Sequence, residues 1–89
     1  MKSQITIKYN DGSVAQHQLI PGDYARWEKE TGKSMRSADD IGLWDFLFLA
    51  YQAYKRSNPS NLIPFEIWMD KVADLDSDEP NPKAIRPEA

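Results

Sequence analysis

The chain has no cysteine, one histidine, only four glycines, and no apolar run long enough to span a bilayer. Without cysteine there is no disulfide, no thiolate metal site and no thiol nucleophile. The beginning, Met-Lys-Ser-Gln-Ile-Thr, lacks the apolar segment of a signal peptide, which predicts a protein made and used in the cytoplasm. The most apolar stretch, residues 39–56, is interrupted by Asp45, Gln52 and the Lys55-Arg56 end, so it falls short of the roughly 20 apolar residues a spanning helix needs. Net charge is -3 with Lys and Arg scattered among Asp and Glu, so no positive field invites phosphate backbones, and no nucleic-acid or membrane partner is expected.

Catalytic patterns are missing as well. A lone histidine gives no metal-binding His pair, and the chain has no glycine-rich phosphate loop and no Gly-x-Ser-x-Gly turn. The paired carboxylates Asp39-Asp40 are explained by a helix start. Asp74, Asp76 and Asp78 alternate like the opening of a calcium loop, but the sixth position, which needs glycine, holds Glu79, and the twelfth, which needs a bidentate carboxylate, holds Ile85. The expectation is a non-enzyme with no catalytic, cofactor-binding or metal residue, whose function is to bind another macromolecule.

What the sequence has in quantity is aromatic residues: three Trp, four Tyr and three Phe in 89 residues. A chain of this length is one domain near the lower size limit for folding without staples, so each ring is core by default. The centre is residues 39–56, where a helical winding puts apolar side chains on nearly every face. Such a helix has to be covered, either by the rest of the chain or by a partner.

The predicted architecture is α+β: an N-terminal β-hairpin packed on a small bundle of three helices, followed by a disordered tail. A single domain spans residues 1–75, with the hairpin at about 4–20, helices at about 23–31, 38–56 and 64–75, and an acidic, proline-bearing tail at 76–89. Ile5, Ile7 and Tyr9 alternate with polar residues, and Asn10-Asp11-Gly12 marks the turn. A two-residue turn would bring Val14, Gln16 and Gln18 to the Ile5-Ile7 face. A three-residue loop with Gly12 left-handed instead brings Ala15, His17 and Leu19 there, which closes the apolar face and makes His17 a packed residue.

Pro21-Gly22-Asp23 opens the first helix, which offers Tyr24 and Trp27, and Gly32 stops it. Residues 37–40, Ser-Ala-Asp-Asp, read as a capping box for the central helix, and Gly42 early in that helix asks for a close packing neighbour. After Ser57-Asn58-Pro59, Pro64 stands at a first helical position. Phe65, Trp68, Met69, Val72 and Leu75 then follow at i, i+3, i+4, i+7 and i+10, one stripe of an amphipathic helix. The faces predicted to cover the centre are Ile5-Ile7-Leu19, Tyr24-Trp27 and Phe65-Trp68-Val72.

The succession of hairpin, Tyr24 with Arg26-Trp27-Glu28, Leu43-Trp44-x-Phe46-Leu47-x-Leu49-Ala50-x-x-Ala53, and Phe65-Glu66-x-Trp68 resembles the tail assembly chaperones of long-tailed (siphovirus-type) phages and prophages over residues 4–75. That resemblance implies a protein of the host bacterial cytoplasm, absent from the mature particle, that binds the tape-measure protein and assists tail-tube assembly, with possible self-association. An adaptor or inhibitor binding a host protein is the other reading compatible with a small acidic chain. In either case the central helix needs a surface left for its partner, and the expected partner-binding residues are Phe48, Tyr51 and Tyr54 on its second half, with Trp68 beside them.

Overall fold

The computed structural model describes residues 3–35 and 41–77, with the element order β1 (Ser3–Tyr9), β2 (Val14–Leu19), α1 (Pro21–Thr31), α2 (Leu43–Ser57), α3 (Phe65–Asp70) and β3 (Val72–Ser77). The fold is α+β, and its sheet is three-stranded and antiparallel in the order β2-β1-β3.

The hairpin has the register that the apolar face demands: Ile7 lies opposite Ala15, Ile5 opposite His17 and Ser3 opposite Leu19. Its turn is the three-residue form. Tyr9 N–H donates to Ser13 C=O, Gly12 N–H donates to Tyr9 C=O, and Gly12 takes φ 91°, a conformation open to glycine at no steric cost. The Asp11 carboxylate steadies the bend by accepting from both the backbone N–H and the hydroxyl of Ser13.

The two-stranded hairpin expected from the sequence is corrected to three strands, and the last helix is shortened. Residues 72–77, expected partly as helix and partly as disordered tail, form β3 against the free edge of β1. Lys8 pairs with Asp74 while Tyr9 pairs with Val72, so Ala73 is an extra residue, a β-bulge. The bulge breaks the period of two: Val72, opposite Tyr9, and Leu75, opposite Ile7, share the inner face although they stand three apart. Three-residue spacing is also the helical signature, which is why the stripe read as continuous helix. The remainder of the expected tail, 78–89, lies outside the described residues.

With β1 in the centre, Ile5 and Ile7 are fully buried and form a core with Leu19, Tyr24, Trp27, Leu49, Ala50, Tyr51, Ala53 and Trp68. Helices α1 and α2 pack on each other, α2 lies over β2, and α3 bridges α2 and β3.

Both long helices begin in the same way. The third residue of each, Asp23 in α1 and Asp45 in α2, sends its carboxylate back to the N–H of the residue before the helix, Ile20 (3.0 Å) and Gly42 (2.7 Å). Gly42 is thus the residue that α2 starts from. It is exposed and has ordinary room for a Cβ, so the close packing expected there is corrected. The capping box expected at 37–40 falls outside the described residues, and α2 starts at Leu43 rather than near residue 38. Gly32 ends α1 in the left-handed conformation, φ 77°, with its N–H on Glu28 C=O.

Candidate partner-binding surface

Along α2 the side chains of Trp44, Phe48, Tyr51 and Tyr54 succeed one another at steps of three and four, which places them on one side of the helix. Helix α3 adds Phe65 and Trp68 to the same side. The six rings form a continuous series. Trp44 stacks on Phe48 (centroids 5.2 Å apart), and both meet Phe65 edge-on at 5.7 and 5.9 Å. Phe65 lies 5.0 Å from Tyr51, which is 5.4 Å from Trp68. Tyr54 closes the series at 5.9 Å from Trp68. These are the offset and edge arrangements favoured by aromatic quadrupoles.

The two ends of the series differ. At the α2 C-terminal end, the segment joining α2 to α3 folds back over the rings: the Tyr51 hydroxyl donates to Ile63 C=O and the Tyr54 hydroxyl to Asn61 C=O at 2.8 Å. Trp68 is wholly enclosed, and its indole N–H donates to the Tyr9 hydroxyl at 3.2 Å. Burial pushes the Tyr9 phenol above its ordinary value, and the Trp68 bond offsets this only in part.

The expected exposure is corrected accordingly. Trp68 and Tyr51 are core residues, and Phe48 and Tyr54 are half-buried. The chain covers much of the half of α2 where cover was least assured, because the Tyr51 and Tyr54 hydroxyls donate to carbonyls of the connecting segment.

At the other end, Trp44 is 42% exposed and the neighbouring Leu43 is 69% exposed. Their position follows from Asp45, one residue further on. Its carboxylate is buried, accepts the Trp27 indole N–H at 2.8 Å and the Gly42 N–H, and pairs with Lys33 at 3.4 Å. Burial acts to raise the Asp45 pKa, but the Gly42 N–H, the Trp27 N–H and Lys33 together hold it below the ordinary carboxylate value. With Asp45 fixed inward on α1, the first turn of α2 has one orientation, and the Trp44 ring is presented outward, backed by Phe48 and Phe65.

Sequence reasoning passed over Trp44. The available signal was its i, i+4 relation to Phe48. Ile67 on α3 and Leu62 before it add further exposed apolar surface, each 52% exposed. Large exposed apolar groups backed by an ordered cluster are the usual mark of a contact surface.

The described residues contain no group of three or more His, Cys, Asp or Glu side chains that could hold a metal, and none of their helices is long and apolar enough to cross a membrane. His17 Nδ1 lies 3.3 Å from Ser57 Oγ, but His17 Nε2 is buried without a hydrogen-bond partner, whereas a Ser-His-acid relay needs a carboxylate at the second ring nitrogen. The nearby Asp23 carboxylate is taken by Arg56. Comparison with protein-family models, curated proteins and solved structures finds no match to this chain.

Proposed function

We propose that this protein is a non-enzymatic phage tail assembly chaperone that binds the tape-measure protein and assists tail-tube assembly in the host cytoplasm. The observation that carries the reading is the outward Trp44 ring stacked on Phe48 and edge-on to Phe65, apolar surface on an ordered support at the start of the central helix. Such a surface suits the apolar stripe of a helical partner, and a tape-measure protein is a long chain that needs its apolar stripes shielded until assembly. The succession of Arg26-Trp27-Glu28, the Trp44-led helix and Phe65-Glu66-x-Trp68 supports the same reading.

The test is co-expression with the tape-measure protein of the same phage or prophage. The reading expects that long protein to stay soluble and to copurify with this chain. A tape-measure protein that precipitates equally with and without it overturns the reading.

A further inference from the structure

The C-terminus of α2 is fastened to β2 and α1 by a polar group that the proposed function does not use. Arg56 Nη1 donates to both oxygens of Asp23, at 2.7 and 2.8 Å, and Arg56 Nη2 donates to the backbone carbonyl of Gln18 at 2.8 Å. The Asp23 side chain is almost fully enclosed. One residue from each anchor, Ser57 and His17 meet through Oγ and Nδ1 at 3.3 Å. The four side chains join the C-terminal end of α2 to β2 and to the start of α1, while the Trp27–Asp45 bond ties α1 to the other end of α2.

We propose that this group is an acid-sensitive latch, in which proton uptake by His17 loosens the attachment of the α2 C-terminus to β2. Whichever tautomer the neutral ring adopts, the protonated ring carries an N–H at Nε2, which is buried with no acceptor. If Nδ1–H donates to Ser57, the incoming proton goes to Nε2 itself. If the proton is already on Nε2, the second must go to Nδ1 and reverse the bond with Ser57.

The surrounding charge opposes protonation too. Among the described residues, the charged groups facing the ring are Arg56 from α2 and Asp23 from α1, while β1 presents the apolar Ile5 opposite it. Asp23 would favour an imidazolium, but both its oxygens are engaged by Arg56 and one also accepts the Ile20 N–H. Burial and then Arg56 hold the His17 pKa below its ordinary value.

The sign follows from linkage. The unfolded or unlatched chain takes the proton at the ordinary value, 6.5, and the latched chain only at lower pH. The latch is therefore at full strength above the ordinary value. It weakens as pH falls below it, up to tenfold in its closing equilibrium for each pH unit until the latched value is reached.

Because the chain has one histidine, its ring protons can be followed without ambiguity by NMR. In the intact protein the midpoint of the ring titration should lie below 6.5, and exchange of the Asn58 N–H, bonded to Tyr54 C=O, should accelerate between pH 7.5 and 5.5 after correction for intrinsic chemistry. In His17→Gln that excess acceleration should vanish. A ring midpoint at or above 6.5 overturns the proposal in the wild-type chain alone, whether or not the variant folds. So does an Asn58 exchange rate with no excess pH dependence.

Discussion

Replacing Asp45 with alanine removes the residue that fixes the start of the central helix, and the size of the loss can be worked from its partners. The Trp27 indole N–H, fully buried and donating to Asp45 at 2.8 Å, would be left without an acceptor. An unsatisfied buried donor costs about 1–3 kcal/mol. The Gly42 N–H loses its cap, worth about 0.5–2 kcal/mol. The Lys33 pair is partly exposed and adds little. The expected loss is therefore about 1.5–5 kcal/mol, against a total stability of about 5 kcal/mol for a domain of this size. Urea unfolding followed by tryptophan fluorescence should show a much lower midpoint with an unchanged slope. Asp45→Asn, which keeps an oxygen for Trp27, should lose less. Because the folded carboxyl has a lowered pKa, its contribution is present above the ordinary carboxylate range and is lost as pH falls through the folded value, so the wild-type and alanine midpoints should converge in acid. A loss below about 0.5 kcal/mol at neutral pH, or a gap between the two proteins that does not narrow in acid, would refute the reasoning.

Two further perturbations test other parts of the account. Arg56→Met leaves the enclosed Asp23 without its cation and should destabilise by about 3–5 kcal/mol, whereas Arg56→Met combined with Asp23→Leu should recover much of that loss in the same denaturation assay. Deleting Ala73 removes the bulge but leaves Val72 next to Asp74, so Leu75 stays opposite Ile7 and Val72 opposite Tyr9; amide exchange should then show β3 still protected along with the β1–β2 hairpin, whereas an opened β3 would mean that the strand needs its bulge.

The parts of this fold that were legible in the sequence are those fixed by neighbouring residues. Gly12 could be placed in a left-handed bulge because only that loop length brings Ala15, His17 and Leu19 to the face of Ile5 and Ile7, and the pairing follows it. Gly32 as the stop of α1 is equally local. β3 was not legible, because the bulge at Ala73 gives Val72 and Leu75 a helical spacing and the strand exists only by pairing with a β1 edge more than 60 residues away. The start of α2 was hidden because the cap is Asp45 reaching back to Gly42 from inside the helix, a signal weaker in sequence than the serine and acidic residues at 37–40, which lie outside the described residues. The aromatic side of α2 and α3 was legible as a feature, but which end stays open was not. Cover of the Tyr51-Tyr54 half depends on hydroxyl bonds to Ile63 and Asn61, contacts that no periodicity encodes.

The central claim, that the Trp44 end of the ring series receives the partner, is tested most directly by measuring the affinity of the tape-measure protein for the wild-type chain and for Trp44→Asp, with thermal unfolding of both as a control. Trp44 is 42% exposed and contributes little to the core, so the variant should unfold within a few degrees of the wild type while its affinity falls by at least about tenfold, the effect of losing a hot-spot tryptophan. Unchanged affinity in a folded Trp44→Asp protein would contradict the account.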